Sequence, residues 1–260
     1  MALVKNRTNL EVWLDVVFAI FLREIRSKFN DKLGISWAVI NPLIFIFLLS
    51  FGRSLLGGPI THSMPTLVFM IYGMLLVRLF LMTFGNISTV IKQNKQLLAF
   101  RQVQPISTVV AASLFELLVI MFVILILFVI LYLLRVDATL NDPLTVFVCI
   151  IQVWLLASSL GLLFGIASIY LPELDKMSIF VQRPVFFMSG IFFSLQDIPK
   201  EFWHYFDWNP ILHAVELSRG AAYPSYITEG VSLSYVFLST LILTAFALFC
   251  YQASWKEALN

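Results

Sequence analysis

Apolar residues in this chain come in long runs broken by short polar punctuation. Six windows, at 33–52, 64–84, 106–134, 143–170, 177–195 and 231–250, each offer the roughly 20 apolar residues that a helix needs to cross a hydrocarbon core. Three of them, 33–52, 143–170 and 231–250, hold no charged residue, while 64–84 holds Arg78, 106–134 holds Glu116 and 177–195 holds Arg183. At about 1.5 Å of rise per residue, the third and fourth windows exceed the bilayer core, so they are expected to tilt or protrude. The unequal lengths argue against a repeat array, and the lack of ten-residue alternating strands argues against a barrel.

The polar segments carry their own patterns. Before the first window, Leu10, Trp13, Leu14, Val17, Phe18, Phe21 and Ile25 recur at helical spacing, with Glu11, Asp15 and Arg26 largely off that face. This predicts an amphipathic helix over 9–30, lying in the headgroup region with its Trp at the boundary. A buried helix of a soluble subdomain would show the same pattern, but no other soluble core exists for it to join. Asp15 interrupts the run 12–22 and no small-residue cleavage site follows, so a signal peptide is not expected. The longest segment between windows, 196–230, is crowded with aromatic residues. Asp197 with Pro199, and Asn209 with Pro210, are helix-start signals. Two short aromatic helices beside a span predict a re-entrant outer hairpin, buried in protein or lining water. The alternative is a pair of helices lying flat at the outer surface.

Composition agrees with the pattern. Of 260 residues, 60% are hydrophobic and 12% charged, with a mean hydropathy of +0.92. Soluble domains carry about 25% charged residues, so an ordinary soluble enzyme is excluded. A net charge of +2 gives no electrostatic footprint for nucleic acid. Cys149 and Cys250 both sit in apolar runs, which speaks against a disulfide framework or a zinc site. Eleven of the 17 Lys and Arg residues fall on one set of loops and only four on the other, which predicts both termini on the cytoplasmic side.

Catalytic motifs do not emerge. There is no G-x-x-x-x-G-K-[ST] phosphate cradle, no G-x-S-x-G and no H-E-x-x-H. His213 and Glu216, three apart, are too few to ligate a metal and read as a local polar network with Arg219. Arg78 and Arg183 stand out, because a charge at membrane depth needs a partner or water. Arg78 either faces an aqueous path that takes an anionic substrate or pairs with Glu116. Arg183, followed by Pro184, either faces the same path or snorkels to the cytoplasmic surface. Flat rings stack on the C–H faces of sugars, which makes Phe186, Phe187, Phe192, Phe193, Trp203 and Trp208 candidate contacts for a sliding polymer. An integral membrane lipid-modifying enzyme would need an acidic pair, but Asp137 and Asp142 look like turn residues. An ion-driven secondary transporter would need both halves broken, and only the C-terminal half is.

Two stretches carry a family resemblance. The first, FLREIRSKFNDKLGISWAVINP at 21–42, runs through a basic elbow into the first window; the second is IPKEFWHYFDWNPILHAVELSRGAAYPSYITEGVSLSY at 198–235. In order and spacing they resemble the ABC-2 type export permeases of polysaccharides, most closely the capsular branch of Gram-negative bacteria. O-antigen or teichoic-acid-type permeases are the nearest alternatives. The resemblance implies an all-α polytopic membrane protein forming one domain over 1–260. It would have six transmembrane helices, an N-terminal interfacial helix and a re-entrant outer hairpin before the last span. It implies a homodimer in the bacterial inner membrane with the path between its copies, moving a lipid-linked acidic capsular polysaccharide. Two separate cytoplasmic ATPase subunits would hold ATP and Mg, this chain binding no cofactor. A periplasmic co-polymerase and an outer-membrane export protein would complete the system. Coupling to the ATPase is carried onto Glu24 and onto Lys92, Gln93, Asn94, Lys95 and Gln96 of a short helix at 91–100. Reception of the lipid headgroup falls to Arg23, Arg26, Lys28 and Lys32. The place of Arg78 on the path rests on physics alone.

Overall fold

The computed structural model describes residues 8–30, 34–100, 102–136 and 138–256. In chain order the helices are α1 (Asn9–Asn30), α2 (Gly34–Gly57), α3 (Thr66–Gln93), α4 (Pro105–Leu133), α5 (Pro143–Tyr170), α6 (Leu174–Met188), α7 (Pro210–Ala222) and α8 (Leu233–Ser254). A two-residue hairpin, β1 (Ile60–Thr61) with β2 (Met64–Pro65), joins α2 to α3, and short 3-10 helices occupy Leu97–Ala99, Leu195–Asp197 and Lys200–Tyr205. Among the described residues, five helices are long and apolar enough to cross a membrane: α2, α3, α4, α5 and α8.

Helix starts follow local chemistry. Proline opens α4, α5 and α7, where its missing N–H is no loss. Asp142 caps α5 by accepting from the backbone N–H groups of Leu144 and Thr145, each at 3.1 Å, and Ser232 caps α8. Hydroxyls within the spans return to the helix that carries them: Ser88 donates to the Gly85 carbonyl, Ser168 to that of Gly165 and Thr244 to that of Thr240. Hydrocarbon offers no other partner for such groups.

The core is built around α3, whose face from Val68 to Ile91 is almost entirely buried. It packs most extensively on α5, where two glycines allow the axes to approach: a Cβ added at Gly161 would lie 2.8 Å from the Ile87 Cβ, and one at Gly165 would meet the Ile87 carbonyl at 3.4 Å. The α8 helix leans on the far side of α5, with Ser159 and Thr244 hydroxyls 2.8 Å apart across the joint. The α1 helix lies against α4, burying Val17 and Ile20 on Ala111. Exposed Leu, Ile and Phe side chains cover the outward faces of α2, α4 and α8, as a hydrocarbon solvent requires.

The window 177–195 is only partly helical. Helix α6 has 15 residues, about 22 Å of axis, which is shorter than the hydrocarbon core of roughly 30 Å. Pro184 lies within it, and the chain turns at Ser189 and at Gly190, whose φ of +73° favours glycine. Asn209 fixes this turn, donating its side-chain amide to the Met188 carbonyl and the Ser189 hydroxyl. Residues 190–195 leave the helix because their carbonyls serve elsewhere. Helix α7 is buried nearly all round, against α3, α5 and α8, and of the two expected helices only this one is α-helical. The segment after Pro199, Lys200–Tyr205, is a six-residue 3-10 helix.

Candidate functional site

Three regions hold the polar side chains that the fold buries or brings together. The first fastens the segment between α6 and α8. On α7, Glu216 and Arg219 lie one turn apart, both wholly buried, with Arg219 Nη1 3.1 Å from Glu216 Oε1. Arg219 also donates through Nε and Nη2 to the Phe69 carbonyl of α3, through Nη2 to that of Ile191 and through Nη1 to that of Phe193, while its guanidinium sits 3.5 Å over the Phe69 ring. The other carboxylate oxygen accepts from the Ser194 hydroxyl at 2.9 Å and the Tyr226 hydroxyl at 2.7 Å. Burial pushes the Tyr226 hydroxyl well above its ordinary value, so it remains a donor. Every charge here is neutralised and hydrogen-bonded, the condition for tolerating a buried pair. The local network expected of His213, Glu216 and Arg219 divides in two, because His213 faces away. The Ser232 N–H donates to its Nδ1, so its Nε2 carries the proton and donates to the Asp207 carbonyl at 2.7 Å. At the rim, His62 meets Asp197 at 2.9 Å and packs on Phe69 and Tyr226, tying the β-hairpin to the same cluster. Among the described residues no group of three His, Cys, Asp or Glu could hold a metal.

The second region is the face shared by α2, α3 and α6. Arg78 is half-buried; its Nη2 donates to Asn41 Oδ1 at 2.7 Å and its guanidinium lies 5.3 Å from the Phe45 ring centroid. Arg78 and Glu116 line one small crevice, yet the hydrogen bond of Arg78 runs to α2, while Glu116 accepts from Asn86 at 2.8 Å. Phe45 continues into a ring cluster: its centroid is 6.1 Å from Phe186, which lies 5.2 Å from Phe187 and 5.7 Å from Phe192. Arg183 is exposed on α6 and stands apart from these contacts. The other expected path residues lie between α6 and α7. Phe193 packs on Phe206, and Trp203 donates to the Ile198 carbonyl beneath Lys200. Trp208 is exposed and donates to the Tyr205 carbonyl. The eight candidates therefore form no single lining. Four converge with Asn41 and Phe45, and neither of those two was legible from charge or aromatic crowding.

The third region is the end where α1 meets the turn after α3. The expected helix over 91–100 is not a separate element. Ile91, Lys92 and Gln93 complete α3, and after a turn only Leu97–Ala99 forms a 3-10 turn. Lys95, Gln96 and Phe100 are exposed, whereas Asn94 is buried and its side chain engages Arg23 of α1. Arg23 is thus turned toward the body of the protein, with Glu24 beside it at 3.1 Å. Arg26 is exposed. Lys28 is on α1 with its side chain outside the described residues, and Lys32 lies outside them altogether.

Comparison with known proteins places this architecture. Residues 15–223 match the family described as ABC-2 type transporter. Over 98% of this chain and 99% of the relative, the sequence is 34% identical to the polysialic acid transport protein KpsM of Escherichia coli. It is 23% identical to the capsule polysaccharide export inner-membrane protein CtrC of Neisseria meningitidis serogroup B, over 92% of this chain and 91% of that one. A family match over most of the chain, end-to-end alignment with KpsM and a set of long apolar helices agree: this is a multi-pass, all-helical membrane protein that belongs to the ABC-2 type transporter family.

Proposed function

We propose that the protein is the transmembrane subunit of an ATP-driven exporter that passes lipid-linked, acidic capsular polysaccharide across the bacterial inner membrane. The observation that carries this reading is the end-to-end similarity to a polysialic acid transport protein, reinforced by that to capsule export proteins. The chain lacks a phosphate cradle of its own, so the work comes from two ATPase subunits on the cytoplasmic side, which hold ATP and Mg. The permease acts as a homodimer with both termini cytoplasmic. The five long helices, the short α6 and the outer segment that ends in α7 together make six crossings with a re-entrant hairpin. Two copies meet so that the α2–α3–α6 faces line a wet path. Arg183 is exposed nine residues into α6, about 14 Å along its axis. An uncovered guanidinium at that depth is accommodated by water or by the carboxylates of an acidic polymer. Phe186, Phe187 and Phe192 offer weak, non-directional ring contacts past which sugars slide. Beyond the membrane, a periplasmic co-polymerase and an outer-membrane export protein receive the chain.

The test is reconstitution. The purified protein is combined in proteoliposomes with a candidate P-loop ATPase, and hydrolysis is measured with lipid-linked acidic glycan and with a neutral one. The reading expects the ATPase to co-purify and the acidic glycan to stimulate hydrolysis. No association, or equal response to both glycans, overturns it.

A further inference from the structure

We propose that Asn94 is a positioning residue for energy coupling, locking the interfacial helix α1 to the cytoplasmic turn after α3 so that the two move as one body. The inference deepens the exporter reading and rests on it. Asn94 is only 6% exposed, although its neighbours Lys95 and Gln96 are exposed. Its amide nitrogen donates to the Val90 carbonyl at 2.9 Å, which anchors the side chain on the last turn of α3. That leaves Oδ1 free to accept, and the acceptor is used by the Arg23 guanidinium of α1. A hydrogen bond to a cation is stronger and more directional than a neutral one.

A second attachment lies beside it. Trp13, Val16, Val17, Ile20 and Phe21 of α1 share an apolar cluster with Ala111 of α4, and the same cluster takes in Leu97 and Val103 from either side of the turn. Apolar contact is non-directional and lets a helix roll on its support. The polar bond at Asn94 fixes the angle. Together they tie α1, the turn at 94–103 and the start of α4 into one unit, leaving Lys95, Gln96, Ala99 and Phe100 as the surface offered outward. A push on that surface then reaches α1, and through α1 the chain that enters α2. Asn94, itself buried, thus acts through Arg23, where the family resemblance had implied a direct contact with the ATPase.

The experiment uses the full chain with its ATPase in proteoliposomes and reads polymer translocated per ATP hydrolysed. Asn94→Ala and Arg23→Ala are each expected to lower this ratio about tenfold, the factor that goes with losing a charge-assisted hydrogen bond of about 1.4 kcal/mol. The double variant is expected to fall no further, because both changes remove one interaction. Asn94→Asp keeps the acceptor for Arg23 but loses the donor to the Val90 carbonyl, so its ratio is expected to fall less than that of Asn94→Ala. A purely structural role would lower translocation and hydrolysis together and leave the ratio unmoved. In a Cys149→Ala, Cys250→Ala background, Arg23→Cys with Asn94→Cys joined by a bifunctional thiol reagent is expected to go on translocating. An unchanged ratio in the alanine variants, a fall in Asn94→Asp as deep as in Asn94→Ala, or arrest on cross-linking overturns the latch. Failure of the unaltered complex to translocate overturns the exporter reading and the latch with it; unaltered translocation combined with any of those three results overturns the latch alone.

Discussion

Glu216→Ala puts the fastening of the segment between α6 and α8 to the test. The side chain is wholly buried and its carboxylate takes hydrogen bonds from Arg219 at 3.1 Å, Ser194 at 2.9 Å and Tyr226 at 2.7 Å. Truncation leaves the Arg219 guanidinium buried without a counter-charge. Breaking such a pair by removing one member costs about 3–5 kcal/mol. Arg219 keeps the carbonyls of Phe69, Ile191 and Phe193 and the Phe69 ring, so the cost should fall near the lower end, about 3 kcal/mol. The assay is equilibrium unfolding in mixed micelles, followed by helical circular dichroism. A Glu216→Ala protein within about 0.5 kcal/mol of the unaltered one would behave like an ordinary surface substitution and would refute the fastening.

Three other outcomes follow from the geometry. At Gly73 an added Cβ would lie 2.6 Å from Arg219 Nη2 and 3.1 Å from the Ile191 Cα, so Gly73→Ala should destabilise by about 1–3 kcal/mol in the same unfolding assay. The Thr145 hydroxyl, then the Thr145 and Leu144 backbone N–H groups, hold the Asp142 carboxyl below its ordinary 3.8. Its contribution to α5 is therefore complete above that ordinary value and is lost as pH falls through the lower folded one; Asp142→Asn should flatten the acid limb of a melting-temperature profile, and an unchanged limb would show that the cap does not titrate with folding. Arg183→Ala should reduce surface capsule in cells while the amount of ATPase-bound complex stays constant, and undiminished capsule would remove Arg183 from the path.

The run lengths in the sequence determined much of this protein. Apolar stretches at 33–52, 64–84, 106–134, 143–170 and 231–250 coincide with α2, α3, α4, α5 and α8, because in hydrocarbon a backbone with no water to bond must close its hydrogen bonds within the helix. Amphipathic spacing marked α1, and the Asn-Pro pair marked the start of α7, since both signals act within a few residues of each other. Positions fixed by distant partners were not legible. The run 177–195 reads as uniform, but its last residues leave the helix so that the carbonyls of Ile191 and Phe193 can meet Arg219, which lies 28 and 26 residues further on. Arg78 could be flagged as a buried charge, while its bond to Asn41 depended on how α2 lies across α3. Asn94 was expected from the family resemblance to meet the ATPase, and its bond to Arg23 depended on how α1 lies over the end of α3. Local patterns specify which segments are helices and which faces are greasy, because those depend on neighbours in the chain. Which charge meets which carbonyl depends on the packing of whole helices, and only the tertiary structure decided that.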